Sequence, residues 1–407
     1  RLEFKDMSKG EYRAEIRALH VLEQIPTLQH LHITLSLDRD HIHQQWVRTL
    51  KALPRLESLT LTCHRLVNGI HLQEVLQACC GLQSLSLKLL ARQKELEQRD
   101  RQMYKDTRAA IERMPEMRLR ELVLEAWLDI VVENIFQPLL ERCPRMEKLL
   151  VESQVCCLIV RHLAKTLKEN KLPDLRHLTL DTNFTESNAN GTVDVALSCI
   201  TRGLGSLVLQ GFYGDLFIQP LIEHHSRSLT TLDMLQTPIS LWAFSDLMAG
   251  LPCLRTVRAD MDQDQYDFED ILPLDKEWKC IGLRNLELEL GISETYYTIG
   301  DAEWKGSVAK VCIDYVFSQV AKLTSLQELA IGSEQDMYCK NYGYLEQLAG
   351  LKHLKVMHLA GAVHWNFDKY HALWMAQNWP KLLQVYELEL PVIFKRTLRK
   401  ERPLIEF

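Results

Sequence analysis

Four histidines near the start of the chain, His30, His32, His41 and His43, have the spacing that first suggests a metal ion. His30 and His32 stand two apart in a strand-like stretch, so both imidazoles point the same way and would suit zinc. No cysteine or carboxylate at ligand spacing completes the set, and exposed polar side chains explain them equally well. A second run, from Asp260 through Asp262, Asp264, Asp267 and Glu269 to Asp270, carries the carboxylates that calcium prefers. A helix-loop-helix calcium site needs Gly at the sixth position of the loop and Glu at the twelfth. Counting from Asp260 gives Gln265 and Ile271, so the run is read as a solvated acidic loop. Nucleophile elbows, phosphate-binding loops and zinc-protease helices all lack their defining residues here. The chain is therefore read as non-enzymatic, with no catalytic residue, no cofactor and no metal.

Two other groups of residues suit binding. Glu125, Glu152, Asp181, Asp260 and Glu289 each follow the core of a predicted strand and would form a negative stripe on one sheet face. Asp233 and Glu287 join it, while Arg176, Arg255, Arg258 and Arg284 are expected to project onto the same surface. Such a face is either an ordinary solvated sheet or a groove for a basic peptide. Aromatic residues form the second group. Between Gly291 and Pro380 lie 13 of the 31 aromatics, in 90 of 407 residues, nearly twice the even share. Phe317, Trp374 and Trp379 fall at helical core spacing, whereas Tyr296, Tyr297 and Trp304 lie in an insertion and Tyr338, Trp365 and Phe367 follow strands. Aromatics on loops bury much area at small entropic cost, which is what a contact hot spot uses. The predicted partner-binding residues are these six together with the five carboxylates of the stripe.

The elements that must position these residues recur. In Leu175-Arg176-His177-Leu178-Thr179-Leu180, apolar residues stand at positions one, four and six. Thirteen such triplets begin at Leu28, Leu56, Leu82, Leu119, Met146, Leu175, Leu204, Leu229, Leu254, Leu283, Leu326, Leu354 and Leu383. Ten of the twelve spacings are 25–29 residues; the exceptions, 37 and 43, mark insertions near 91–113 and 291–322. Alternation at positions four and six fits a short strand. Between strands the spacing turns helical, as in Ile135, Phe136, Leu139 and Leu140 or Leu241, Phe244, Leu247, Met248 and Leu251. Prolines such as Pro54, Pro144 and Pro252 then stop the helix before the next strand. A fixed period of this length predicts stacked units with a parallel sheet on the concave side and helices on the convex side.

These repeats resemble the long-period leucine-rich repeats of the ribonuclease-inhibitor-like class, especially the irregular arrays of fungal and plant F-box proteins. The resemblance covers the chain from about Leu19 to Leu390. At the ninth position only Asn183 matches the usual asparagine, with Trp127, Gln154, Phe212, Thr237 and Asp262 elsewhere. Residues Arg1 to Gly10 lack the Leu-Pro-x-Glu opening of an F-box, and the chain is expected to begin inside a longer protein. The expected fold is an α/β leucine-rich repeat solenoid of about thirteen irregular repeats. Residues 1–27 are read as a helical cap or truncated repeat, 28–390 as the solenoid, and 391–407 as a tail. The resemblance implies a protein-interaction module: the substrate-recognition part of a ubiquitin ligase adaptor, reaching cullin-RING subunits through an upstream F-box. A free-standing scaffold or inhibitor, and a sensor with an upstream nucleotide-binding module, are the alternatives.

Charge and cysteine usage narrow the setting. A formal charge of −6 gives no global attraction to nucleic acid or anionic membrane, and no apolar run is long enough to span a bilayer. Eleven cysteines without a Cys-x-x-Cys pair fit buried thiols in a reduced, intracellular compartment, cytoplasmic or nuclear. The basic segment from Lys395 to Arg402 reads as a solvated end or an import patch.

Overall fold

A strand of six residues cannot bury its own leucines, so each repeat lays its strand beside the last. The computed structural model describes residues 2–4, 19–35, 40–63, 69–79, 81–89, 98–126, 132–153, 156–181, 190–212, 214–262, 276–291, 302–337, 343–363, 367–387 and 390–407. They form two units, residues 1–204 and 205–407. Each unit is a stack of strand-and-helix repeats, and the fold class is the α/β leucine-rich repeat solenoid.

The first unit runs β1 (Leu2–Phe4), β2 (His30–Leu35), α1 (Asp40–Lys51), β3 (Ser58–Cys63), α2 (Gly69–Ala78), β4 (Ser84–Leu89) and α3 (Gln98–Glu112). It continues with β5 (Glu121–Ala126), a π-helical turn (Val132–Phe136), α4 (Gln137–Glu141), β6 (Lys148–Ser153), α5 (Cys156–Lys168), β7 (His177–Asp181) and α6 (Asn190–Ser198). The strands pair in parallel in chain order, with Leu31, Leu59, Leu85, Leu122, Leu149 and Leu178 in one register row. All six are buried, and burying one leucine side chain is worth about 1.5–3 kcal/mol. Ile135, Phe136, Leu139 and Leu140 are buried as their spacing predicts, although the turn that carries the first two is π-helical. The first insertion supplies α3, whose Thr107, Ala110 and Ile111 are buried in the unit.

The second unit runs β8 (Ser206–Gln210), α7 (Ile218–His225), β9 (Thr231–Ile239), α8 (Leu241–Gly250), β10 (Thr256–Asp262), β11 (Asn285–Gly291) and α9 (Ala302–Val320). It ends with β12 (Glu328–Met337), α10 (Gly343–Gln347), β13 (Val356–Val363), α11 (Lys369–Asn378), β14 (Gln384–Glu387) and α12 (Val392–Glu401). Ser240 caps α8 by accepting the amide of Ala243 at 3.0 Å, while its hydroxyl donates to Asp215 Oδ2 at 2.6 Å. Residues 276–280 bring Trp278 into the core, edge-on to Phe244 and Tyr315 at 5.4 and 6.4 Å. Tyr315 in turn donates to the carbonyl of Lys276 at 2.6 Å.

One backbone device repeats through both units. The carbonyl just before most strands accepts two amides from the next repeat, as Glu57 O does from Gln83 and Ser84 at 2.9 and 3.0 Å. Gln83, Arg120 and Glu147 do the same in the first unit; Thr230, Arg255, Arg284, Gln327 and Lys355 in the second. This device corrects one register. Lys355 O takes the amides of Leu383 and Gln384, and Met357 pairs with Val385. The last triplet therefore starts at Leu382, which is 3 % exposed, and not at Leu383, which is 49 % exposed. A slip of one residue exchanges the two faces of a strand, so Val385 is core and Tyr386 is on the open face. Where asparagine is missing, Thr237 substitutes: its buried hydroxyl donates to Leu209 O at 2.8 Å and accepts the amide of Phe212 at 3.4 Å. Trp127, Gln154 and Asn183 lie outside the described residues.

Candidate functional site

On the open face of the first unit, register places Lys88, Glu125, Glu152 and Asp181 in one row across β4 to β7. In-register side chains on adjacent strands stand about 4.8 Å apart. Three carboxylates thus share one row with a single ammonium, which sits at its end: Lys88 Nζ lies 2.7 Å from Glu125 Oε2. The hydrogen bond to Glu125 holds the Lys88 ammonium above its ordinary range. Glu152 has its pKa raised, first by burial and then by the charge of Glu125, with Asp181 adding to it. Burial also raises Asp181. The row is an electrostatic deficit that an incoming cation would relieve.

The next row toward the strand starts holds Ser86, Val123, Leu150 and Thr179, all half-buried on the same open face. Val123 and Leu150 break the expected alternation and put apolar surface beside the carboxylates. A lysine or arginine could lay its methylenes there while its head meets Glu152 and Asp181. Beyond this apolar row, Glu121 is already matched: Lys148 Nζ lies 2.6 Å away and Ser84 donates at 3.2 Å. The hydrogen bond from Lys148 pulls the Glu121 carboxyl below its usual range.

The second unit arranges the same residue types differently. Arg258 lies between Asp233 and Glu287, with Nη1 2.8 Å from Asp233 Oδ2 and Nε 2.6 Å from Glu287 Oε2. Its guanidinium pKa is raised, chiefly by the bond to Glu287. Asp260 and Glu289 pair in register one row further on, both half-buried. The corresponding positions in β8 and β9 hold Gln210 and Leu235, so the acidic row is not continuous through this unit. Of the four arginines expected on the face, Arg176 and Arg255 instead tie repeats together. Arg176 donates to Gly203 O at 3.0 Å and Arg255 to Gly282 O at 2.7 Å.

The aromatic group fares unevenly. Tyr296, Tyr297, Tyr338 and Trp365 lie outside the described residues, and Trp304 is placed only as a backbone position in α9. Phe367 corrects the reading of it as a loop contact: it is 3 % exposed and stacks on Phe394 at 4.9 Å. Tyr315, Phe317, Tyr344 and Trp379 are buried as well, so part of the aromatic excess fills the core of the last repeats. Trp379 also donates its indole N–H to Leu348 O at 3.0 Å.

His41 and His43 begin helix α1 and do not lie in a loop after β2. Among the described residues no group of three or more His, Cys, Asp or Glu is arranged to hold a metal. Of the carboxylate run, Asp264 to Asp270 lie outside the described residues. Cys143 and Cys280 are buried thiols whose pKa burial pushes up to about 12, and that of Cys312 to about 11. No described helix is long and apolar enough to cross a membrane.

Sequence reasoning missed Val123, Leu150 and Lys88. Their signal is present in the period-two alternation, which puts each at an outward strand position.

No protein-family model matches the chain, and no curated protein matches it. Among solved structures, the chain is similar to the yeast Rad7 and Elc1 complex, at 11% identity and a TM-score of 0.39, covering 93% of this chain and 89% of that one. It is also similar to the leucine-rich repeat-containing protein LegL7 from Legionella pneumophila, at 13% identity and a TM-score of 0.39, covering 93% of this chain and 99% of that one.

Proposed function

We propose that the chain is a non-enzymatic protein-recognition module whose open sheet face in the first unit holds a basic segment of a partner. The observation that carries this is the row of Glu125, Glu152 and Asp181, matched by one lysine at its end and bordered by Val123 and Leu150. Carboxylates whose pKa values are raised gain most when a cation arrives, and the adjoining apolar row supplies area. The test is a titration with a lysine- and arginine-rich peptide, followed by fluorescence anisotropy. Binding that weakens with salt and disappears in a Glu152→Lys/Asp181→Lys variant supports the reading; binding indifferent to both overturns it.

The narrower reading makes the module the substrate-recognition part of an F-box-type ubiquitin ligase adaptor. It rests on the resemblance of the repeats alone. Affinity capture with the natural full-length chain tests it. Recovery of cullin-complex subunits supports the adaptor, and a single stoichiometric partner without them favours a free scaffold or inhibitor.

A further inference from the structure

Helix α12 carries a stripe whose chemistry is opposite to that of the sheet row. Val392, Lys395, Arg396, Arg399 and Lys400 follow one another at intervals of three, one, three and one residues, which places them on one helical face. They line a shallow surface cleft. The opposite face is anchored: Phe394 and Leu398 are fully buried, and Phe394 stacks on Phe367. At the end of the helix Arg402 donates to Pro380 O at 2.8 Å and to Ala376 O at 2.9 Å. The helix is therefore held with its basic stripe outward.

The helix dipole accounts for only part of this charge. Arg399 and Lys400 lie in the last turn, where cations meet the carbonyl end favourably. Lys395 and Arg396 do not. They stand four residues before Arg399 and Lys400, where like charges repel. Among the described residues no carboxylate forms an ion pair with Lys395, Arg396, Arg399 or Lys400; Arg399 instead lies over the ring of Phe407 at 5.2 Å. Apolar side chains stand exposed at the start of the helix: Val392, within the stripe, is 72 % exposed and its neighbour Ile393 51 %.

We infer that this face of α12 docks an acidic segment of a partner protein, one in which carboxylates alternate with apolar side chains. The carboxylates answer the four cations, and the apolar side chains cover Val392 and Ile393. A bare phosphate backbone would leave those apolar groups uncovered. A membrane surface fits less well, because the continuous apolar face of the helix, Phe394 and Leu398, is already buried. The site is independent of the sheet row and selects the opposite charge.

The test uses a labelled peptide of about twelve residues alternating glutamate with leucine, against a control with glutamine for glutamate. Phosphatidylserine vesicles and a single-stranded oligonucleotide serve as the other anionic probes. The peptide should bind in a salt-dependent manner, and the Lys395→Glu/Arg396→Glu/Lys400→Glu variant should weaken it about tenfold or more. Val392→Ser/Ile393→Ser should weaken it several-fold with the salt dependence unchanged. Each variant should remain folded, because the buried anchors Phe394 and Leu398 are untouched, and a cooperative thermal transition checks this. Equal binding of the glutamine control, indifference to the charge reversals, or binding of vesicles or oligonucleotide without the peptide overturns the proposal.

Discussion

The two units use the same charged residue types on their open sheet faces and reach opposite electrostatic outcomes. In the second unit Arg258 stands between Asp233 and Glu287 and answers both. In the first, three carboxylates stand abreast and one lysine answers the outermost. The difference is one of order along the row. A cation in the middle satisfies both neighbours, whereas a cation at the end leaves Glu152 raised by burial and by the charges of Glu125 and Asp181, and Asp181 raised by burial. The arrangement in the second unit stabilises the protein by itself; under the function proposed above, the row in the first unit is completed by a cation of the partner.

The sharpest way to break this contrast is through binding. Charge reversal at Glu152 and Asp181 should weaken a basic peptide by about a hundredfold, while Arg258→Ala should leave that affinity unchanged. An equal loss in both variants would mean that the peptide reads general charge and not the row. Next in size is stability. Arg258→Ala leaves the carboxylate of Asp233, whose side chain is 13 % exposed, with the Leu235 amide and no cation, and should cost about 1–2 kcal/mol in urea unfolding at neutral pH. Glu152→Gln should move the other way, stabilising the fold by about 0.5 kcal/mol, because it removes a part-buried charge and its repulsion with Glu125 and Asp181.

The pH dependence sharpens the same comparison. Glu152 and Asp181 have folded-state pKa values raised above their unfolded ones. Their protonated forms therefore favour the fold below the unfolded value, and that contribution is lost as pH rises through the raised values. The advantage of Glu152→Gln should accordingly be largest at neutral pH and vanish in acid. Glu121, whose pKa is lowered by Lys148, has the reverse sign: its contribution is present at neutral pH and is lost as acid protonates it. Basic-peptide affinity should fall as the row protonates, since binding requires the ionised forms. Parallel unfolding and binding titrations of the parent and Glu152→Gln from acid to neutral pH read all three trends.

The periodic leucines made the fold legible, because a triplet at 25–29 residues admits few alternatives to a stacked sheet. The carboxylate row was legible too, since period-two alternation assigns each residue a face. Its pairing was not. Whether an arginine at an outward position meets a carboxylate or a loop carbonyl depends on side-chain reach, and Arg255 and Arg258, three residues apart, do one each. Aromatic density misled at Phe367, because a large ring serves a core as readily as a surface. At Leu383 the adjacent leucine, Leu382, offered two registers one residue apart, and only the hydrogen-bond ladder distinguishes them.

That ladder ends in a small structure with a large effect. Gln384 on β14 bridges in parallel to Glu406, Val385 donates its amide to Glu406 O at 3.0 Å, and Glu406 donates to Leu383 O at 2.8 Å. A strand left open at the side of a sheet is a template on which another molecule can add its own strand, and then another. Here the residues after α12 fold back and occupy part of that template themselves. Cutting the chain after Arg402 would thus do more than remove a few residues: it would bare the backbone groups of Leu383 and Val385 to which another strand can add.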